Sequence, residues 1–531
     1  MVPLTTPQML ATFAEWGDRP LLVTPEERLT YRDTVDRSSL LARRLLAAGL
    51  GKHSRVALVL ANGSDWVVSF FALTRIGAHA ILLNPFAKAP ELAYALAHAD
   101  AHAVITGEQT GGVAADALVS AAVPALAVHT AGAPLATVTH PFLRTVWWLG
   151  AGRPAWADDL DAVDPEAIGA DLLAAVEAQV SPADPMFTSY TSGTTAEPKA
   201  VVQTQGAILR QAEKTDVRRH FEADDIIYSP MPLFWMGGIC WTFLSAAARG
   251  MFVVTDARFD AGRALDLIEA ERATHVYCWP QAAEGLVTHP SWPDRDLSFL
   301  KAGPAVLRGE QFEGVAVDQR ESSLGMTETC GPHTYPLDAD AILPDHLRGS
   351  FGTSMEGMEH RIVDRETLEP LPDGEVGELL VRGECLMLGF HKRERQDTFL
   401  PDGWYRTGDL CSWHDDRLFF HGRGGDMIKT AGFNVAPAAV ERVLDAVPDV
   451  MHVVVMGLPD PVREQVIGTL VALRPGSAAT AESLTALAKE QLSSYKVPTV
   501  WRIVDAATYP MGVTGKVERT TARALIEEAR A

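Results

Sequence analysis

Residues 190–199 read Tyr-Thr-Ser-Gly-Thr-Thr-Ala-Glu-Pro-Lys. The hydroxyl side chains of Tyr190, Thr191, Ser192, Thr194 and Thr195 crowd one short segment with Gly193, and the segment ends at Lys199. Small side chains let backbone N–H groups approach an anion, hydroxyls add donors, and a lysine adds charge. That chemistry suits a polyphosphate cradle; the same composition also suits a plain surface Ser/Thr loop. The G-x-x-x-x-G-K-[ST] spacing of a P-loop is absent. Cys240, Cys278, Cys330, Cys385 and Cys411 are scattered and form no C-x-x-C pair. They point away from a zinc site or a disulfide framework and towards a reducing cytoplasm.

The elements around this segment must hold it. A strand-like run at 186–189 precedes it and a helical stretch at 206–214 follows it. Upstream, residues 30–50 carry apolar positions at helical spacing, with Thr30 as a cap. A strand at 56–60, a helix at 65–77 and a strand at 80–83 come next, and the alternation recurs as a strand at 251–255, a helix to 272 and a strand at 275–278. Such alternation implies α/β layers around a mainly parallel sheet. The apolar stretch 236–248 is shorter than the roughly 20 residues of a membrane span and reads as a core helix. Residues 150–185 read as a linking stretch with one helix. Strands dominate 360–420, broken by Pro-Asp-Gly at 372–374 and 401–403. Beyond Gly425 come a helix from Pro437, strands at 453–456 and 468–473, a helix at 481–492 and a strand at 500–504. The expected fold is α/β: a large N-terminal domain (1–424) of layered α/β subdomains with a β-rich subdomain, then a small α+β C-terminal domain (425–531).

The chain has 531 residues, with 46 Lys plus Arg against 68 Asp plus Glu, a net charge of −22. At roughly 100–200 residues per domain, that length allows about three or four domain-sized units. The acidity excludes a non-specific nucleic-acid binder and a polybasic membrane binder. It leaves room for a small anionic ligand held by local donors. The first ten residues, MVPLTTPQML, hold neither a basic stretch nor a long apolar run, so no signal peptide is expected and a cytoplasmic location is.

Segment 190–199 resembles the signature of the adenylate-forming superfamily: acyl-CoA and aryl-CoA synthetases, stand-alone adenylation domains and firefly-type luciferases. Four further motifs follow in the family's order. Leu324-Gly325-Met326-Thr327-Glu328 resembles Y-G-x-T-E, and Gly403-Trp404-Tyr405-Arg406-Thr407-Gly408-Asp409 resembles G-W-x-x-T-G-D. Gly422-Arg423-Gly424-Gly425-Asp426-Met427-Ile428-Lys429 resembles the hinge element G-R-x-x-D-x-I-K, and Val513-Thr514-Gly515-Lys516-Val517-Glu518-Arg519 resembles T-x-x-G-K-x-x-R. The resemblance implies an enzyme that joins a carboxylate to the α-phosphate of ATP, expels pyrophosphate and passes the acyl group to a thiol, usually that of CoA. It implies that Lys516 contacts the α-phosphate and the carboxylate, that Thr327 donates to the α-phosphate, and that Glu328 holds Mg²⁺. Asp409 would accept the ribose hydroxyls, which suits an acceptor-only carboxylate, with Arg423 reaching the same sugar. Gly303 and Pro304 fall where the family packs backbone against adenine, and the resemblance implies nucleotide-binding positions at Leu324 and Gly325 as well. Arg406 reads as a structural ion-pair partner. Lys429 is the family's second motif lysine, read either as catalytic or as a solvated charge. For the second half-reaction the family rotates its C-terminal domain about the residue at Gly425, and Gly432 and Phe433 would then line the thiol entry.

Several positions depart from the family pattern. Ala196 and Ala200 replace glycines, Leu324 replaces an aromatic that stacks on adenine, and Trp235 replaces a gating histidine. Ala431 stands where plant aryl-CoA ligases carry lysine, and Arg463 where glycine is usual. The pocket segment Phe234, Trp235, Met236, Gly237 and Gly238 carries no aspartate for a substrate ammonium, so an amino acid is disfavoured and a hydrophobic or aromatic acid favoured. The reading is an ATP-dependent, AMP-forming carboxylate–CoA ligase. Its alternatives are transfer to a carrier-protein pantetheine and activation of nitrite to diazotise an aromatic amine.

Overall fold

A computed structural model describes residues 3–110, 113–191, 198–219, 221–304, 307, 319–338, 341–424, 426, 428–430, 433–435, 437–460, 463–492, 496–512 and 516–530. Its first sheet has eight strands. Asp158–Asp159, Thr145–Leu149, Ala103–Gly107, Arg55–Val59, His79–Leu82 and Pro185–Thr191 run in parallel pairs across it, and Lys199–Thr204 and Gly389–Phe390 close the far edge antiparallel. The second sheet orders His275–Val276, Ile226–Tyr228, Phe252–Val254, Pro20–Val23 and Arg28–Thr30, with parallel pairing except at the last strand.

Helices fill the space between these sheets. Ser64–Arg75 buries every residue except Asp65. A helix apolar on all sides belongs inside a layered core. One core cluster contains Leu58 of the first sheet, Phe70 and Phe71 of this helix, Phe243, and Val253 of the second sheet. The helix Tyr31–Ala47 starts at a full capping box between Thr30 and Asp33, as the Thr30 signal predicts. The apolar stretch at 236–248 is buried as expected, but it is wider than an α-helix: Gly237–Leu244 is a π-helix that continues into Ser245–Ala247.

The strand-rich region forms an antiparallel sheet of Met358–Val363, Gly377–Gly383, Tyr405–His414 and Arg417–Arg423. Gly374 and Gly403 of its Pro-Asp-Gly turns sit at φ +92° and +85°, which glycine adopts without a side-chain clash. Beyond Arg423 a separate sheet begins, made of Ile428–Thr430, Phe433–Val435, Glu464–Leu473, Val450–Asp460 and Val500–Asp505, flanked by Pro437–Asp445, Ala481–Gln491 and Arg519–Glu528. Two of its strands extend well past the expected 453–456 and 468–473, because Val450 to Asp460 pair along Glu464 to Leu473 as one long hairpin. Among the described residues no helix is long and apolar enough to cross a membrane.

Candidate active site

The two described ends of the hydroxyl-rich segment lie on paired strands. Pro185–Thr191 and Lys199–Thr204 pair antiparallel, with Thr191 opposite Lys199 and Tyr190 opposite Ala200. Ser192, Gly193, Thr194 and Thr195 lie outside the described residues. Ala200 belongs to an extended strand, so its methyl group meets no positive-φ requirement. The Lys199 ammonium lies 5.4 Å from the centre of the Phe390 ring. The Tyr190 hydroxyl donates to the Ala95 carbonyl at 3.1 Å, and the Ser189 hydroxyl donates to the Phe234 carbonyl at 3.3 Å. The second bond ties the strand pair to the pocket segment.

Gln203, on the returning strand, is a positioning residue that no motif announces. It is fully buried, and its Nε2 donates to the Thr327 carbonyl at 2.6 Å, while the Cys330 thiol donates to its Oε1 at 2.9 Å. One amide thus fixes both ends of the turn that carries Thr327 and Glu328. Replacing Gln203 with Met should leave the buried Thr327 carbonyl and Cys330 thiol unpaired and lower stability by about 1–3 kcal/mol, read from the urea midpoint. An unchanged midpoint would remove Gln203 from this role.

The strand Gly325–Met326 pairs with Gly331–Pro332, and a Cβ on Gly325 would lie 2.6 Å from the Gly331 carbonyl oxygen, so only glycine fits. Thr327–Thr329 forms a 3₁₀ turn. Leu324 is half-buried and packs on the cluster holding Val201 and Tyr405. The Tyr405 hydroxyl donates to Glu328 Oε1 at 3.3 Å, and the Glu328 backbone carbonyl accepts from Met387 N–H at 2.7 Å. Burial, together with the Glu328 charge, pushes the Tyr405 hydroxyl above its ordinary range, so it stays a donor.

Strand register brings the next two motifs together. Asp409 lies opposite Arg423, with Arg423 Nε 2.9 Å from Asp409 Oδ1. The Asp409 side chain is only 4% exposed, against 47% for Arg423. Burial pushes the Asp409 carboxyl up to about 6; Arg423 opposes that rise, and Glu328 adds to it. Asp409 is a strand residue with a buried carboxylate, more than the simple turn residue that a G-D pair can also be. Arg406 pairs with Glu378, the structural role read for it.

In the pocket segment, Phe234 and Met236 are buried and Trp235 half-buried; the Phe234 and Trp235 rings meet edge to face at 5.6 Å. Gly237 and Gly238 open the π-helix, and a Cβ on Gly238 would lie 2.0 Å from the Pro232 carbonyl oxygen. Such wide turns are frequent at functional sites. Asn62, unmarked by any motif, braces the approach: its Oδ1 accepts from Leu233 N–H at 2.8 Å and its Nδ2 donates to the Met231 carbonyl at 3.1 Å. Gly303 lies against the Val276 carbonyl at the end of the second sheet, and Pro304 follows it.

Lys516 is exposed, one residue before Val517, which is bridged to Met511 ahead of the helix Arg519–Glu528, and its carbonyl accepts from Gly512 N–H at 2.8 Å. No described hydrogen bond or ion pair joins it to Thr327, Glu328, Asp409 or Arg423. Lys429 and Phe433 lie on the paired strands Ile428–Thr430 and Phe433–Val435, with their side chains outside the described atoms. Gly425 and Gly432 lie outside the described residues.

Residues 10–391 match the AMP-binding enzyme family, and residues 439–516 match the AMP-binding enzyme C-terminal domain. An indoleacetate–CoA ligase of Aromatoleum aromaticum is 30% identical over 97% of this chain and 98% of its own length. A sulfoacetate–CoA ligase of Cupriavidus necator is 29% identical over 95% of this chain and 94% of its own. The crystal structure of an anthranilate CoA ligase in complex with anthranoyl-AMP superposes with a TM-score of 0.80 at 23% identity, covering all of this chain and 99% of that one. With the five motifs in order and the T-E, T-G-D and G-R elements gathered at one site, the chain belongs to the AMP-binding enzyme family of adenylate-forming ligases.

Proposed function

We propose that this enzyme, an AMP-forming acid–CoA ligase, acts on a carboxylic acid with a hydrophobic or aromatic body, and that the residues named above carry the reaction. A carboxylate oxygen attacks the α-phosphorus of ATP and the bond to pyrophosphate breaks; the CoA thiolate then attacks the acyl carbon and AMP leaves. The observation that carries the reading is the Glu328–Tyr405 and Asp409–Arg423 pairing, which joins three separate motifs around one buried carboxylate. Asp409 accepts the two ribose hydroxyls, and Arg423 keeps that carboxylate oriented. Thr327, at the head of the turn held by Gln203, donates to the α-phosphate. The loop through Ser192 to Thr195, with Lys199 at its base, receives the outer phosphates.

Glu328 fits a hard cation. Tyr405 holds its Oε1, leaving Oε2 for an oxygen-coordinated ion such as Mg²⁺. When bound, that ion supplies charge neutralisation to phosphate oxygens. The apolar lining from Phe234 to Gly238 and the names of the relatives, which span an indole acid and a small sulfonated acid, support a carboxylic acid substrate.

Residues 1–424 and 425–531 act as two domains in this reading, with the pivot at Gly425. Next to it, Arg365 Nη1 donates to the Gly424 carbonyl at 2.9 Å and anchors the fixed side of the pivot. Gly425→Pro should therefore cut thioester formation at least about tenfold relative to adenylation, by freezing one backbone dihedral. Equal rates for the two half-reactions, compared with wild type, would count against the pivot.

The test of the whole reading is pyrophosphate release across a panel of acids and nitrite, with mass spectrometry of products with and without CoA and with a carrier protein. Acid-dependent release and an acyl-CoA product are expected. Release with nitrite alone, or with no acid, would overturn it.

A further inference from the structure

The helix Gln205–Arg219 turns a stripe of polar side chains inward. Gln211, Thr215 and Arg219 are spaced four residues apart and share one face. Gln211 and Thr215 are fully buried. Gln211 Nε2 donates to the Pro332 carbonyl at 2.6 Å, but its Oε1, the Thr215 hydroxyl and Arg219 Nη2 are closed off from solvent without a hydrogen-bond partner.

Arg219 is clamped among aromatic rings. Its guanidinium carbon lies 4.1 Å from the centre of the Tyr277 ring, 4.5 Å from that of Trp241 and 5.4 Å from that of Phe221. Its Nη1 donates to the Trp241 carbonyl at 2.8 Å. No acidic side chain among the described residues pairs with it. Trp241 Nε1 and the Tyr335 hydroxyl are also buried and unpaired. Tyr277 lies within electrostatic reach of both Arg219 and Tyr335, which places these groups in one neighbourhood.

That neighbourhood adjoins the segment proposed above to receive the acid. Trp241 stands one turn along the π-helix from Gly237 and Gly238, and Tyr277 follows the strand that is bridged to Ala302, beside Gly303. Aromatic faces stabilise a guanidinium partly. Arg219 as a whole is half-buried, but its enclosed Nη2 still lacks the partner that enclosure demands. Arg219 Nη2 and the Trp241 indole N–H donate only, so the partner these two lack is an acceptor, while Gln211 Oε1, one turn or more along the helix, lacks a donor that a hydroxyl or water supplies.

We propose that the far end of the acid pocket is an anion subsite, in which Arg219, with Thr215 and Trp241, receives a second anionic group, a carboxylate or sulfonate, at the distal end of the acid substrate. The proposal rests on the acid-activation reading and narrows its substrate class. Arg219 is then a specificity-determining residue, its planar guanidinium held by the ring clamp and by the Trp241 carbonyl so that Nη2 is left to donate.

The test compares matched pairs of acids, each pair equal in length, one member ending in carboxylate or sulfonate and the other in methyl, in aliphatic and phenyl series. Acid-dependent pyrophosphate release is read as kcat/KM. In at least one pair the anion-ended member should be preferred about tenfold or more, and in Arg219→Gln that preference should fall about 30-fold, with Arg219→Lys recovering part of it. If Arg219→Gln does not fold, Trp241→Phe keeps a ring and removes one donor, and its preference should fall several-fold. Preference for the methyl-ended acid in every pair would mean that only water fills the stripe, and overturns the subsite. An unchanged preference ratio in the variants would do the same. Absence of release with every acid is a different result, which overturns the acid-activation reading and the subsite with it.

Discussion

Lys516→Ala is expected to lower acid-dependent pyrophosphate release by about 100- to 1,000-fold, the scale on which removal of one transition-state donor acts. Thiolysis of a supplied acyl-adenylate by CoA should stay close to wild type. The asymmetry follows from charge. The first half-reaction brings a carboxylate against a polyphosphate, so two anions must approach as the bond forms, and a cation placed there is worth more at the transition state than in either reactant. The second half-reaction starts from a mixed anhydride in which that repulsion is gone. Lys516 is exposed, and its side chain makes no described contact, so its loss should leave the melting temperature within a degree or so of wild type. Activity loss is then readable as chemistry. Equal loss of adenylation and thiolysis would take Lys516 out of its assigned role, and so would a variant with normal pyrophosphate release.

The motifs that carry this prediction were visible in the sequence because their chemistry is local: a run of hydroxyls, a G-D pair, a lysine after a glycine. The α/β alternation was visible for a related reason, since buried parallel strands read as short apolar runs such as Arg55–Val59 and His79–Leu82. What was hidden depends on partners distant in sequence. Gln203 looks like any strand polar residue until Thr327, 124 positions away, closes on its amide. Tyr405 reads as one more aromatic until its hydroxyl meets Glu328. Asp158–Asp159 joins the first sheet by pairing with Trp147 and Trp148, although its own sequence is charged and carries no strand signal. The helix Arg519–Glu528 buries only Ala522 and Ile526, too narrow an apolar face to announce itself beside so many polar residues. The π-helix shares its apolar composition with an ordinary core helix; its extra width comes from packing, with Gly238 pressed on the Pro232 carbonyl.

Asp409→Asn should separate stability from function in opposite directions. The Asp409 carboxyl is pushed up to about 6, chiefly by burial. A carboxyl raised in the folded state binds its proton more tightly there than in the unfolded chain. Ionising it therefore costs folding free energy: the stability it contributes is greatest below the unfolded carboxyl range and falls as pH rises from about 4 to about 6, for a cost on the order of 3 kcal/mol at pH 7. Asparagine carries no charge to bury, so the variant should melt at or above the wild-type temperature at pH 7, with the loss of the Arg423 pair offsetting part of the gain. Its advantage over wild type should shrink as pH falls from 7 towards 4. Nucleotide use should move the other way. Two ribose hydroxyls need two acceptor oxygens, and asparagine offers one, so the KM for ATP should rise about tenfold or more. In the wild type the same requirement predicts a KM for ATP that rises as pH drops through about 6, where Asp409 takes up its proton. A KM for ATP that is flat from pH 5 to 8, or an Asn variant that binds ATP like wild type, would remove Asp409 from the ribose. A variant that melts well below wild type at pH 7 would show instead that the Asp409–Arg423 pair outweighs the cost of burying the charge.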